Sequence, residues 1–285
     1  MVKKVKNKKV TLKEIQGELL SIIKDFDIFC KENNIKYYLM GGSALGAIRH
    51  QGFIPWDDDI DVFMTRKEYL KFLKIAEEKM DKEKYYLQKE ATEEFPMYFS
   101  KWRKNNTTFI EEDFRNRKNM HQGFCIDIMC LYNTYENKFL RRIQYLAAAC
   151  LKSKALAETK YKRDNKKKMA IIKICNIFVR GPIKKIIRKK SCGPKNDNSK
   201  YVGHFFGRAK FPNTSFERKY LGKQRYVKFE DIKLPVPEKA EEYLKLRYGN
   251  DFMKAPDEKT KSLYPRHDFI VDLNKNYTEY IDNGE

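Results

Sequence analysis

Apolar residues recur at helical spacing near the start of the chain. Leu12, Ile15, Leu19, Ile22, Ile23, Phe26 and Phe29 line one face of a helix over residues 12–30, and Asn33-Asn34 ends it. The pattern then changes to an unbroken strand-like run over 35–40 that reaches Gly41-Gly42-Ser43. Residues 44–50 read as a short helix, and a turn from Gly52 to Trp56 leads into a second strand over 60–64. Thr65, with Glu68 three residues on, is a capping-box pattern for a helix over 66–79 that turns Tyr69, Phe72, Leu73 and Ala76 inward. Strands are expected over 85–88, 97–103, 107–110 and 124–131. Residues 136–190 are helical and basic, with Gly181-Pro182 as a break, and 191–200 is a polar loop. Short strands over 201–211 and 225–234 and a helix over 238–247 follow. The irregular tail carries a short helix near Phe269. This alternation predicts an α/β (α+β) fold, a mixed sheet flanked by helices. A core over 1–135 is interrupted by a basic helical insertion over 136–200 and completed by 201–285.

The polar positions that break this pattern carry the chemistry. Residues 57–61 read Asp-Asp-Asp-Ile-Asp and run into apolar Val62 and Phe63. Side chains two apart on a strand share a face, so Asp59 and Asp61 are expected side by side. Two such carboxylates repel unless a positive charge lies between them. Hard divalent ions, Mg²⁺ with Mn²⁺ as the alternative, favour carboxylate oxygens together with substrate phosphates. Asp127 is a lone carboxylate inside the apolar run 124–131 and reads as a third metal ligand, against a structural Asp at a sheet edge. Gly42 and Ser43 offer backbone N–H groups at a helix start, a natural cradle for phosphate. Arg49 reads as a fork onto a phosphate oxygen or as an ion-pair partner of Asp57 or Asp58. His50 reads as a base or as a structural residue. Lys101 and Arg103 share a strand face and contact the donor or form a surface cation pair. Trp56 beside the carboxylates is either an aromatic face for a trimethylammonium group or a packed turn residue.

Together these residues resemble the LicD-like phosphocholine transferase family, within the polymerase-β-type nucleotidyltransferase fold. The resemblance rests on Gly-Ala-Ile-Arg-His (46–50) followed by Gly-Phe-Ile-Pro-Trp-Asp-Asp-Asp-Ile-Asp (52–61). It returns at Phe229-Glu230, Leu234-Pro235-Val236-Pro237, Tyr243-Leu244 and the run from Tyr248 to Met253, with Asp231 standing where glycine is common. It spans roughly 12–130 and 225–267, and Arg266-His267 resembles a late family motif whose role spacing does not define. The resemblance implies a nucleotidyltransferase-like sheet with Asp59, Asp61 and Asp127 as catalytic metal ligands. It implies CDP-choline, or another CDP-alcohol, as donor, and a sugar hydroxyl of a bacterial surface glycan precursor as acceptor. That precursor belongs to a teichoic acid, a capsule or a lipopolysaccharide and is expected to be lipid-linked. The rival enzyme reading is a true nucleotidyltransferase that releases pyrophosphate rather than CMP.

Charge adds a partner. The chain carries 60 Lys and Arg against 39 Asp and Glu, a formal net charge of +21, which implies an anionic partner or surface. Six basic residues fall in 160–168 and five in 184–190. They predict peripheral contact with the anionic inner leaflet of the plasma membrane, with Ile171, Ile172, Ile174, Ile177 and Phe178 either inserting shallowly or facing the core. A nucleic-acid-binding module is the rival from another class. It is disfavoured because stacking aromatics do not interleave the lysines, so no nucleic-acid partner is expected. Six cysteines without a C-x-x-C pair fit a reducing cytosol. No stretch has the length of a signal-peptide core or a membrane span, and the expected location is cytoplasmic.

Overall fold

A computed structural model describes residues 10–115, 117–159, 161, 165–261 and 266–281. The basic start of the chain and Lys160, Lys162 and Arg163 of the first basic block lie outside the described residues. Helix α1 (Leu12–Glu32) forms where the spacing places it. Thr11 caps it reciprocally: the Thr11 hydroxyl accepts the Glu14 N–H at 3.2 Å, and the Glu14 carboxylate accepts the Thr11 N–H at 2.7 Å. Ile15, Ile22, Ile23 and Phe26 are fully buried, each contributing about 1.5–3 kcal/mol of hydrophobic stabilisation.

Strand β1 is only Tyr38–Leu39, shorter than the apolar run, because Gly41 turns the chain at φ +62°. Helix α2 (Gly41–His50) starts there. Gly41-Gly42-Ser43 is therefore the first turn of the helix, not a loop ahead of it. Gly46 lets α2 lie on the following turn; a Cβ there would stand 2.5 Å from the Gly52 carbonyl.

Strand β2 (Asp61–Thr65), helix α3 (Arg66–Lys79), β3 (Tyr85–Gln88), β4 (Ser100–Lys104), β5 (Thr108–Glu111) and β6 (Cys125–Thr134) follow. β6 is central: β2 pairs with it in parallel and β4 antiparallel, and the order across the sheet is β1-β2-β6-β4-β3. One face packs Trp102 of β4 against Phe26 of α1, Phe72 of α3 and Tyr85. Strand alternation puts Val62, Ile126 and Ile128, all fully buried, in that core. It leaves Asp61, Asp127 and Lys101 on the other face.

Beyond residue 131, β6 continues into a second ladder. The basic region folds as α4 (Lys138–Glu158), α5 (Lys166–Phe178) and α6 (Gly181–Ser191), with Pro182 in the first turn of α6. Then β7 (Tyr201–Gly203) pairs with the end of β6, and β8 (Ser215–Glu217) pairs with β7. Gln144 ties α4 down: its amide donates to the Asn133 carbonyl at 2.9 Å and the Ser191 carbonyl at 3.2 Å. A hairpin of β9 (Arg225–Phe229) and β10 (Ile232–Val236) precedes α7 (Ala240–Tyr248) and α8 (Glu258–Lys261).

The tail corrects one expectation. Residues around Phe269 form strand β11 (Asp268–Asp272), paired antiparallel with β5, and not a helix. Phe269-Ile270-Val271 is an aromatic and β-branched run suited to a pleated surface, and β5 supplies the partner strand. The helix of the tail, α9 (Thr278–Ile281), comes later. The chain is thus of the mixed α/β class expected from its pattern.

Candidate functional site

Register builds the site. In the parallel pair β2–β6, Asp61 stands opposite Asp127, and in the antiparallel pair β4–β6, Lys101 stands opposite Asp127. Three strands therefore present Asp61, Asp127 and Lys101 in one row. The ladder extends one residue further through Asp127 N–H to the Ile60 carbonyl at 2.9 Å, which holds the 57–60 segment against β6. Asp59 lies just ahead of β2.

Helix α2 closes the row from above. The Ser43 hydroxyl accepts the Asp61 N–H at 2.8 Å and is buried. A Cβ on Gly41 would lie 3.4 Å from Asp61 Oδ2, and one on Gly42 would lie 2.9 Å from Asp57 Oδ2. These glycines let carboxylates approach the backbone where side chains would intrude. The amides of Gly42 and Ser43 belong to the first turn, where N–H groups have no intrahelical acceptor. The Gly41 N–H donates to the Tyr243 hydroxyl of α7 at 3.0 Å.

Electrostatics set the character of the site. Burial, then Asp59 and Asp58, push Asp57 up to about 8. For Asp59 burial raises the pKa, His267 opposes it, and Asp127 and Asp58 add to the rise, giving about 6. Its side chain keeps 41% of its surface accessible, so this recess stays open to a ligand. Asp61 is pushed well above the ordinary 3.8 by burial and by Asp59, Asp127 and Asp57.

Two cations partly offset this charge. Lys101 Nζ lies 2.9 Å from Asp127 Oδ1 and 2.9 Å from Glu111 Oε1; burial works against its charge, but these carboxylates outweigh it and raise its pKa. Glu111 is correspondingly held low by Lys101 and Arg103 despite its burial. His267 donates its backbone N–H to Asp58 Oδ2 at 2.7 Å, and its Nδ1 lies 3.0 Å from Asp58 Oδ1 and 3.8 Å from Asp59 Oδ2. The bond to Asp58 outweighs burial and raises His267 to about 9. Among the described residues no cationic side chain lies within 4 Å of Asp57 or Asp61. Negative charge therefore remains in excess, in a setting made of hard oxygen donors. Among the described residues no three His, Cys, Asp or Glu side chains are already turned into a coordination shell. Lys101 itself holds one Asp127 oxygen.

The other sequence candidates fall into two groups. Trp56 borders the site; Lys261 sits over its ring at 4.6 Å and the His50 ring lies 6.3 Å away. Arg49 does not pair with Asp57 or Asp58. Its NH1 donates to the carbonyls of Phe252 and Lys254 at 2.9 and 3.1 Å, and its Nε donates to His50 Nε2 at 2.9 Å. Burial and Arg49 lower the His50 pKa, which suits this acceptor role. Arg103 is fully buried, donating to Gln88 Oε1 at 2.8 Å and to the Gly123 carbonyl at 2.6 Å, so Lys101 and Arg103 are not a surface pair. Sequence reasoning missed the roles of Glu111, Tyr243 and His267. Their partners lie up to 209 residues away, and no local spacing announces such pairings.

Comparison with known proteins covers this row of residues. Residues 34–146 match the family model described as LicD/FKTN/FKRP, nucleotidyltransferase domain. The chain is 28% identical over 270 residues to the lipopolysaccharide cholinephosphotransferase LicD of Haemophilus influenzae, covering 91% of this chain and 97% of that protein. It is also 42% identical over 57 residues to an uncharacterized protein of Rickettsia typhi, 20% of this chain and 18% of that one.

Proposed function

We infer that this chain is a LicD-like phosphotransferase that transfers phosphocholine, or a similar phospho-alcohol, to a hydroxyl of a surface glycan. The Haemophilus relative is named a lipopolysaccharide cholinephosphotransferase. The finer reading is that the donor is CDP-choline or another CDP-alcohol and the product is CMP. The acceptor is a lipid-linked precursor of a lipopolysaccharide, teichoic acid or capsule, met at the inner face of the membrane. The observation that carries this reading is the row Asp61–Asp127–Lys101 beside the first turn of α2, with Asp57 and Asp59 at its edge.

The residues present fit a divalent cation, Mg²⁺ or Mn²⁺. The donors are hard oxygens, Asp57 and Asp61 have no cation of their own within ion-pair distance among the described residues, and burial together with mutual repulsion raises three carboxylates above their ordinary range. Asp59, Asp61 and Asp127 would hold it, and it would supply neutralisation of donor phosphate and acidification of the acceptor hydroxyl. The protein's own groups do the rest. Ser43 fixes the Asp61 backbone. The first-turn amides of Gly42 and Ser43 offer donors to phosphate oxygens. Lys101 and His267 keep Asp127 and Asp58 in place before substrate arrives. Asp57, which this ligand set leaves uncoordinated, is the neighbouring carboxylate that can take the proton of the attacking hydroxyl. Trp56 offers an aromatic face to a trimethylammonium head group.

The test is incubation of the purified chain with a panel of CDP-alcohols and a glycan acceptor, with Mg²⁺, with Mn²⁺ and with a chelator. CMP release that requires the divalent ion and is selective for one alcohol supports the reading. Pyrophosphate release from a nucleoside triphosphate would assign the same residues to nucleotidyl transfer instead.

A further inference from the structure

We propose that the outer surface of α4, α5 and α6 is a docking face for an anionic lipid bilayer. Its apolar side chains enter the boundary between headgroups and acyl chains, and its lysines meet acidic headgroups. In placing the acceptor at a bilayer it rests on the functional reading above; the surface itself stands on its own observations.

Ten of the seventeen large apolar side chains found exposed lie on these three helices. On α4, Phe139, Ile143 and Leu146 follow one helical face and are 71%, 38% and 53% exposed. Gln144, Ala148, Leu151 and Ala155 form the buried stripe on the opposite side. On α5, Ile171, Ile174, Ile177 and Phe178 are exposed while Ile172 and Cys175 face inward. Ile172 is thus a core residue and not an inserting one. On α6, Ile183 and Ile186 are exposed. α4 and α5 each carry a buried apolar stripe and an exposed one, and on α6 only Ser191 is buried while Ile183 and Ile186 stay exposed. Apolar exposure concentrated in this way marks an interaction surface.

Charge selects the partner. Residues 138–191 hold 18 Lys and Arg against two acidic residues, +16 of the chain's +21. Not every one of these cations faces outward. Arg188 turns in, pairing with Glu90 at 2.5 Å and lying over the rings of Tyr98, Tyr132 and Phe206. Lys138, Lys166, Lys167, Lys185, Lys189 and Lys190 are exposed. A second copy of the chain would bring like charges together. A nucleic acid would engage the lysines and leave the isoleucines in water. An acidic bilayer takes both kinds of residue, as basic amphipathic helices lying in an interface do. Among the described residues no helix is long and apolar enough to cross a membrane, so the helices lie on it.

The experiment is co-sedimentation of the full chain with vesicles of phosphatidylglycerol and phosphatidylcholine, and with vesicles of phosphatidylcholine alone. We expect binding to the first and not the second, weakened but not abolished by high salt. A variant carrying Ile143→Ser, Ile174→Ser, Ile177→Ser and Ile186→Ser should partition about tenfold or more weaker with an unchanged thermal midpoint. Lys185→Gln, Lys189→Gln and Lys190→Gln together should also weaken binding. CMP release on a soluble acceptor, measured on the same variants, separates the two readings: vesicle binding without CMP release by the wild type leaves the face standing and defeats the activity. Wild type that ignores anionic vesicles at low salt overturns the proposal, as does a serine variant that binds like wild type. A serine variant that only converts a dimer to a monomer assigns the face to a second copy and overturns it too.

Discussion

Asp61 and Asp127 are register partners on parallel strands, and among the described residues Asp127 alone of the two has a cation at hydrogen-bond distance, Lys101 at 2.9 Å. The pair is therefore asymmetric before any ligand arrives. Asp127 is held by a neighbouring charge, whereas Asp61 is held through its backbone by the Ser43 hydroxyl, and its carboxylate faces repulsion.

Replacing Asp61 or Asp59 by Asn should lower turnover by roughly 10²-fold or more, the scale of losing a charge-stabilising group in a preorganised site. The same changes remove repulsion, so the thermal midpoint of the divalent-free protein should hold or rise. Near-normal turnover of both variants at saturating Mg²⁺ would remove these residues from the site.

Lys101 and Asp127 should behave differently from each other. Lys101→Met strands Asp127 and Glu111 without their shared, largely buried cation, and should cost about 3–5 kcal/mol of stability. Asp127→Ala leaves Lys101 paired with Glu111 and should lose activity with a small change in midpoint. Chemical denaturation alongside turnover distinguishes the two. A large stability loss with retained turnover in Asp127→Ala would mark it as purely structural.

The backbone over α2 gives a third outcome. Ser43→Ala removes the acceptor of the Asp61 N–H, a deficit of ~1–3 kcal/mol for an orphaned buried donor, and should reduce turnover through misplacement of Asp61. Ser43→Thr, which keeps the hydroxyl, should retain more activity than Ser43→Ala. Equal loss in both variants would show that bulk, not the hydrogen bond, matters at this position.

Between pH 7 and 9, above the range in which the lowered His121 and His204 oppose the trend, the divalent-free protein should lose stability steadily. Asp57 at about 8 and Asp59 at about 6 are raised above 3.8. In this range the native state holds more protons than the unfolded chain, and stability falls as pH rises. His267, raised from 6.5 to about 9, contributes stability below 6.5 that is lost as pH passes 9, so it slopes the same way. Excess Mg²⁺ should flatten the profile above pH 7, because it favours the ionised carboxylates. Thermal midpoints across this range, with and without chelator, test both slopes; a midpoint that climbs with pH in chelator would contradict them.

Much of this site is legible along the chain because strand alternation is local. A carboxylate inside an apolar run, as at Asp127, exposes its own face, whereas Asp59 lies just ahead of β2 and strand alternation does not place it. The helix over 66–79 and the strand over 85–88 follow from capping and periodicity alone. Pairings across the chain are not legible in this way. A cation two turns from a glycine-rich segment reads as a phosphate contact, yet Arg49 directs Nη1 to the carbonyls of Phe252 and Lys254 and Nε to His50. The strand at 268–272 reads as helix because its partner β5 lies far away in sequence, and short apolar runs take their conformation from what they pair with.

The bond from the Gly41 amide to the Tyr243 hydroxyl spans 202 positions, and this has a consequence for how the protein is made. During synthesis every acidic residue of the row has emerged long before the tyrosine that caps the turn above it. A nascent chain stopped short of α7 contains the carboxylates, the glycines and Ser43, but its helix start lacks that cap and Asp58 lacks His267. The cap on the helix start and the Asp58–His267 pair therefore form late, when the last quarter of the polypeptide folds back onto the first.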